Sequence, residues 1–137
     1  MLKVRPEQFT VLQQYAETEF VHRLAAYVRE KHADVIVQLP QGPLSVKEIP
    51  EDTLRLMVRQ GITRGRKYGV TWESALSAFV TLMFVTAPNY DEHPAVRRVL
   101  RDEGIASNSR VNQLWNQVTE QEWETIRKDY AVSAWNL

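Results

Sequence analysis

Residues 75–87 read ALSAFVTLMFVTA, the longest nearly charge-free run in the chain. The run is shorter than the ~20 apolar residues that a helix needs to cross a bilayer. A helix of this kind that is apolar on nearly every side is normally enclosed by other elements of a soluble protein. The run therefore predicts a central packing helix, over residues 72–86, around which the other helices are arranged.

Two longer amphipathic helices are predicted on its N-terminal side. Between about Pro6 and His32, apolar residues recur at steps of three and four and form one stripe along a helix. The members of this stripe are Phe9, Leu12, Ala16, Phe20, Leu24, Tyr27 and Val28. A second stripe, over residues 50–68, includes Gly61 and Gly65, whose four-residue spacing puts both on the buried side. Because glycine has no side chain, we expect this helix to approach the 72–86 helix closely.

The remaining segments are shorter. Pro88 ends the central helix, and short helices are expected from Pro94, from about residue 108 and from Thr119, where Glu122 completes a capping box. Residues 34–48 form either a small hairpin around a Pro-Gly turn or an ordered loop. The sequence thus predicts an all-α bundle of about five or six helices, with residues 1–137 forming a single domain.

Composition restricts the classes of function. The 17 basic and 17 acidic residues balance, so charge gives no reason to expect nucleic acid or an anionic membrane as a partner. The chain has no cysteine, which excludes disulfides, thiolate catalysis and cysteine-based zinc sites. No histidine–carboxylate metal motif and no nucleotide-binding loop is present, so neither a metal nor a cofactor is expected. Since the N-terminus has no signal-peptide core, we expect a cytoplasmic protein.

The richest polar cluster is Asp91-Glu92-His93. These three side chains are able to serve an enzyme, but acidic residues at a helix start also satisfy free backbone N–H groups. Because no recognised catalytic spacing accompanies the cluster, the sequence favours a non-enzymatic protein.

Two surfaces are candidates for binding a protein partner. One is the basic side of the second helix, with Arg55, Arg59, Arg66 and Lys67; the other is the turn between Leu39 and Leu44. Both also have ordinary explanations, because basic residues near a helix C-terminus offset its dipole and loops are commonly exposed connectors.

The stretch from Arg59 to Leu100 resembles small helical proteins encoded among type VI secretion and polymorphic-toxin genes of proteobacteria. The first helix also fits at Phe20 and Arg23, so the match covers roughly residues 20–31 and 54–100. These proteins show a helix ending "R-x-G-I-x-R-A-x-x-Y-G-I", an apolar helix ending "L-M-F-x-x-G-P-x-F-D", and a short helix after a proline. The matching residues are Arg59, Gly61, Ile62, Arg64, Tyr68, Gly69, Leu82, Met83, Phe84, Pro88, Tyr90, Asp91 and Pro94. The chain departs from the pattern over residues 34–48 and at Gly65.

The resemblance implies an accessory role beside a secreted toxin. As an adaptor or co-chaperone, the protein would hold the toxin or load it onto the secretion apparatus. As an immunity protein, it would bind the toxin's catalytic domain and block it. The neutral charge favours the adaptor, because immunity proteins that face basic nuclease sites are commonly acidic. A small enzyme that uses Asp91 and His93 remains the third hypothesis.

Overall fold

A computed structural model describes residues 5–137; the first four residues of the predicted domain lie outside the described part. Within it the elements are α1 (Pro6–Lys31), β1 (Ile36–Leu39), β2 (Gly42–Ser45), α2 (Glu51–Lys67), α3 (Glu73–Val85), α4 (Pro94–Leu100), α5 (Arg110–Gln117) and α6 (Glu120–Lys128). One contiguous cluster of buried side chains runs from Phe20 to Trp135. The predicted all-α bundle is confirmed.

The contact between α2 and α3 is the centre of the core. A Cβ atom added to Gly61 would lie 2.9 Å from the Met83 sulfur, and one added to Gly65 would lie 2.9 Å from Leu76 Cδ2 and 3.2 Å from Phe79 Cδ1. Real Cβ atoms hardly ever approach other atoms so closely, so no larger residue fits without movement. The close approach that the glycine spacing predicted is confirmed.

Residues 34–48 form a hairpin, which settles the alternative that the sequence left open. The strands pair antiparallel with Ile36 opposite Ser45, and Gly42 adopts a φ of +126° in the turn. Val37 and Leu39 point into the core. The hairpin is therefore stable because one face packs on the helices, as a two-stranded sheet requires.

Only the second half of α1 belongs to the core, and here the sequence-based expectation was wrong. Phe9 and Leu12 are 56% and 57% exposed, and Ala16 is exposed as well, whereas Phe20, Leu24 and Val28 are buried and Tyr27 is 46% exposed. The reason is length. A helix of 26 residues spans about 39 Å, but α2 and α3, with 17 and 13 residues, span only about 25 Å and 20 Å. We call the exposed part of α1, residues 6–19, the projecting segment.

The central helix is also less enclosed than expected. One side of α3 packs on α2, but Ser77, Ala78 and Thr81 on another side are only half-buried. Trp72 and Trp115 are each 63% exposed. The C-terminal tail is docked on the body, because the Trp135 ring is buried and lies 5.0 Å from that of Phe84.

Candidate functional site

The loop after α3 brings the predicted polar cluster under the C-terminal half of α2. Pro88 ends α3, and the short 3₁₀ turn Tyr90–Glu92 follows. The Tyr90 hydroxyl donates to the buried carbonyl of Phe79 at 2.8 Å, and the two rings lie 5.4 Å apart. This anchor fixes the loop, so the position of Asp91 depends on the packing of α3.

Asp91 is a buried carboxylate held by two side chains of α2. Its Oδ2 atom lies 3.0 Å from Arg64 Nε and accepts a 2.9 Å hydrogen bond from the Tyr68 hydroxyl. Arg64 also donates to the carbonyl of Pro88 at 2.8 Å and to Glu92 Oε1 at 3.1 Å. The guanidinium thus ties the whole loop to α2. Positions 64 and 68 are one helical turn apart, which is why both side chains reach the same carboxylate.

Burial governs the proton affinities in this cluster. It raises the pKa of Asp91 above its ordinary value, although the Arg64 cation and the Tyr68 hydrogen bond act in the opposite direction. Burial and the nearby Asp91 charge raise the pKa of Tyr68, and burial raises that of Tyr90 well above its usual range. Two buried atoms, Asp91 Oδ1 and Arg97 Nε, have no hydrogen-bond partner within residues 5–137.

His93 does not join Asp91 in an acid–base pair. Its Nδ1 accepts a 3.1 Å hydrogen bond from the backbone N–H of Ala95, so the ring caps the N-terminus of α4. The depression beside it holds about 190 Å³ and is not lined by Asp91. Among the described residues, no group of three or more His, Asp or Glu side chains is placed to hold a metal ion. Asp91 and Glu92 thus share the Arg64 guanidinium, whereas His93 makes a separate contact as the cap of α4.

The other motif-matching residues pack around the same loop. Gly61 lies at the α2–α3 contact, and Gly69 takes the left-handed conformation, with φ +83°, that ends α2. Phe84 and Pro88 are buried, and Pro94 opens α4. The motif therefore describes one packing unit built from α2, α3 and the loop that follows them. Arg59 is different, because its side chain is exposed on the outer side of α2.

The four residues of the predicted basic surface fall into two groups, according to whether they form an ion pair. Arg55 contacts Glu51 at 3.0 Å and His22, and Arg66 makes two bonds to Glu17 at 2.7 and 3.0 Å. Arg59 and Lys67 make no ion pair in the part of the chain that the structure describes. They are exposed eight residues apart, with Thr63 between them, and so lie along one line of the helix. We call these three residues the Arg59–Lys67 face.

A shallow depression lies along this face. It holds about 460 Å³ between α2 and the docked C-terminal tail, and Ser133 and Asn136 form its far side. Gln60 donates to the carbonyl of Asn136 at 3.0 Å and so fixes the tail against the helix. The tail therefore forms a fixed wall of the depression, while Arg59 and Lys67 are exposed on the other side.

The hairpin turn is a poorer candidate than the sequence suggested. Leu39 is buried, so the expectation that it is exposed to a partner was wrong, and Leu44 is half-buried against the core. The backbone of Gln38 on β1 is bound on both its N–H and its carbonyl by the Tyr130 hydroxyl. Pro43 on β2 has no N–H to offer to a further strand. Neither edge of the hairpin is thus well prepared to add a strand from another protein.

Two apolar surfaces were not foreseen from the sequence. The projecting segment exposes Phe9, Leu12 and, on other sides of the helix, Val11 and Tyr15. Beside it, an opening of about 670 Å³ between α1, α3 and α5 has Tyr27 and Trp115 in its walls and Ala78 on its floor. We call this opening the α1–α3 groove. Periodicity alone did not separate these surfaces from the core, because an exposed stripe and a buried stripe have the same spacing.

Outside comparisons add nothing that assigns a function. None of the helices among residues 5–137 has the length and apolar character required to traverse a lipid bilayer. Comparisons with protein-family models, with curated proteins and with solved structures find no match to this chain.

Proposed function

We propose that this protein is a non-enzymatic accessory protein that binds an acidic surface of a protein partner through the Arg59–Lys67 face. The resemblance of residues 59–100 to accessory proteins of toxin loci makes that partner a secreted toxin or the adaptor that carries it. In this role the protein stabilises the toxin or assists its loading.

The proposal rests on which of the four predicted basic residues have a carboxylate partner in their own chain. Arg55 and Arg66 are engaged by carboxylates of their own chain, whereas Arg59 and Lys67 have no carboxylate partner within residues 5–137. Two cations on one exposed line, beside a rigid depression, complement a carboxylate-bearing surface of another protein. The zero net charge of the chain favours a protein over a nucleic acid as that partner.

The geometry around Asp91 supports a non-enzymatic role. Its ionised oxygen is shared between Arg64 and Tyr68, and His93 is engaged by the backbone of α4. A general acid or base must reach a substrate within hydrogen-bond distance, and only 2% of the Asp91 surface is exposed. The cluster is better suited to holding the loop than to proton transfer.

Charge reversal tests the proposal. The tagged protein is co-expressed with the product of each neighbouring gene, and we expect one of them to co-purify. In the double variant Arg59→Glu/Lys67→Glu, co-purification is expected to fall at least tenfold, because two attractive contacts become repulsive. The control is Lys31→Glu/Lys128→Glu, which reverses two exposed charges in the last turns of α1 and α6. Equal binding by both double variants would contradict the proposal.

The same co-expression separates the adaptor from the immunity protein. If cells that make the toxin without this protein remain healthy but degrade or fail to secrete the toxin, the adaptor role is supported. If those cells die and the protein rescues them, the immunity role replaces it. A turnover that is lost in Asp91→Ala or His93→Ala but kept in Arg59→Glu/Lys67→Glu would support the enzyme instead.

A further inference from the structure

The apolar stripe of α1, which is exposed at Phe9, Leu12, Ala16 and Tyr27 and buried at Phe20 and Leu24, is symmetric in sequence. Its positions are 9, 12, 16, 20, 24 and 27, and they lie at equal distances on either side of residue 18. In an antiparallel pair of such helices, Phe9 of one copy falls opposite Tyr27 of the other, Leu12 opposite Leu24, and Ala16 opposite Phe20. Each contact then occurs twice, which is the property of a two-fold symmetric interface.

The stripe also occupies one side of the helix. At about 100° per residue, all six positions fall within roughly one third of the circumference. In the half of α1 that packs on the body, this side borders the α1–α3 groove, which Phe20, Leu24 and Tyr27 line. In the projecting segment the same side carries Phe9, Leu12 and Ala16, which the body leaves exposed.

We propose that two copies of this chain form a homodimer in which the α1 helices pair antiparallel and each projecting segment lies in the α1–α3 groove of the other copy. The groove offers an apolar surface to the apolar side chains that the projecting segment exposes. Tyr27 and Trp115 line it and receive the Phe9 ring of the second copy. The dimer does not depend on the proposed function. Lys67 lies away from the dimer surface, whereas Arg59 borders a depression that Ala16 and Phe20 also line.

Small residues permit the close approach that helix pairing needs. Helix axes pack 8–10 Å apart according to the side chains at the contact. Ser77 and Ala78 line the groove, and Ala16 is the small residue of the pair, Ala16 and Phe20, that lies nearest the two-fold axis. A large side chain at any of these positions would hold the second helix away from the groove.

Charge at the two ends of the paired helices is complementary. Arg5 and Glu30 lie at nearly equal distances from residue 18 and on the same side of α1, so the pairing places Arg5 of one copy beside Glu30 of the other. Both residues are exposed, and neither makes an ion pair within residues 5–137. Because of the two-fold symmetry, the same Arg5–Glu30 pair occurs at both ends of the paired helices. A parallel pair of helices would instead bring Arg5 beside Arg5.

The area is sufficient for a specific dimer. The projecting segment is about 21 Å long, and half of its circumference is about 16 Å, so it offers roughly 330 Å² to a groove. The exposed lining of the groove is smaller than the segment, so two segments in two grooves bury roughly 1,000 Å² in total. Specific interfaces begin at about 1,000 Å². Without the second copy, Phe9 and Tyr27 keep 56% and 46% of their surfaces in water.

Sedimentation velocity on the purified chain tests the dimer. At about 100 µM, where an interface of this size is expected to form, the average mass should approach twice the chain mass of 15.9 kDa. The variant Phe9→Glu/Leu12→Glu should sediment as a monomer with unchanged helical circular dichroism, because both positions are exposed in the single chain. Val11→Glu is the matched control, since Val11 is 63% exposed on the opposite side of the same segment and should leave the dimer intact. A wild-type monomer at this concentration, or equal dissociation by Val11→Glu, would overturn the proposal.

Cross-linking tests the register. The chain has no cysteine, so single cysteines report one position each. With a short bismaleimide, Ala16→Cys near the two-fold axis should cross-link to itself at least tenfold faster than Thr18→Cys, which lies on the far side of α1. Equal rates would exclude the antiparallel pairing around residue 18. The wild type could instead be a monomer that co-purifies with the product of a neighbouring gene, and the Phe9→Glu/Leu12→Glu variant could lose that product. A different protein would then fill the groove, and the homodimer would be rejected. Lys67→Glu, which reverses a charge away from both the stripe and the groove, should remain dimeric whatever it binds.

Discussion

Replacement of Arg64 by methionine gives the sharpest test of the cluster around Asp91. The substitution keeps the aliphatic stem but removes the cation 3.0 Å from Asp91 Oδ2 and the donor to the Pro88 carbonyl at 2.8 Å. Removing one partner of a buried ion pair costs about 3–5 kcal/mol, because a charge is left buried and unpaired. Arg64 is 22% exposed and Asp91 is able to take up a proton, so the lower end applies. We expect Arg64→Met to lower the free energy of unfolding by about 3 kcal/mol at pH 7.5.

The pH dependence of this loss has a definite sign. Burial already raises the pKa of Asp91, and the Arg64 cation holds it down, so Arg64→Met should raise that pKa further. A carboxyl whose pKa is higher in the folded state binds more protons when folded, and the protein loses stability as pH rises through the window above the ordinary value of 3.8. This pH window ends at the pKa of Asp91 in the folded state, so it extends to higher pH in Arg64→Met. The stability difference between wild type and Arg64→Met should therefore be smallest near pH 5 and grow towards pH 7.5.

Denaturation in guanidinium chloride at the two pH values measures the difference. The fluorescence of tryptophan reports unfolding, because the Trp135 ring passes from the core to water. The matched control is Arg66→Met, which removes a bidentate but more exposed ion pair with Glu17 and should cost less than about 1 kcal/mol at either pH. A loss below 1 kcal/mol for Arg64→Met at both pH values, or a difference that grows towards acid pH, would refute this account of the cluster.

Substitutions at four further positions test the packing, a helix end and the docked tail. Gly65→Ala should lower stability by about 1–2 kcal/mol, since overpacking of about 2–3 kcal/mol exceeds the ~1 kcal/mol gained in helix propensity. Gly61→Ala should cost less stability, because its new methyl group meets the flexible Met83 thioether. Thermal unfolding compares the two variants, and a larger loss for Gly61→Ala than for Gly65→Ala would contradict this reasoning. Thr119→Ala should cost about 1 kcal/mol by removing the capping box of α6, whereas Thr119→Ser should restore most of it, as amide hydrogen exchange in α6 can measure. Trp135→Ala should cost about 3–5 kcal/mol in chemical denaturation because it leaves a cavity under the C-terminal tail, and a loss below 1 kcal/mol would show that the tail is not docked.

Much of the fold followed from local patterns. The Gly61–Gly65 spacing predicted the close contact of α2 with α3 because glycines on a buried stripe have few other uses. Likewise, the Thr119–Glu122 pattern predicted the capping box that begins α6, since both bonds form within four residues. Interactions of this kind depend on neighbours in the chain and are therefore legible in the sequence.

The candidate surfaces were harder to predict. Arg55 and Arg66 carried the same signal as Arg59 and Lys67, and only their distances to Glu51 and Glu17 set them apart. Those carboxylates lie on α2 itself and on α1, and the second of them is 49 residues away. Nothing in the spacing of basic residues reports whether such a partner is near. Leu39 was misplaced for the same reason, because its burial depends on the helices beneath the hairpin.

The sequence by itself determined that residues 72–86 form a central helix, that amphipathic helices flank it and that no cysteine chemistry operates. These properties depend on composition and on periodicity over a few turns. The tertiary structure alone decided which half of the α1 stripe is buried, because burial depends on the lengths of α2 and α3 as well as on the stripe. It also placed Asp91 between Arg64 and Tyr68, and so gave a residue that the sequence offered for chemistry a role in holding the loop.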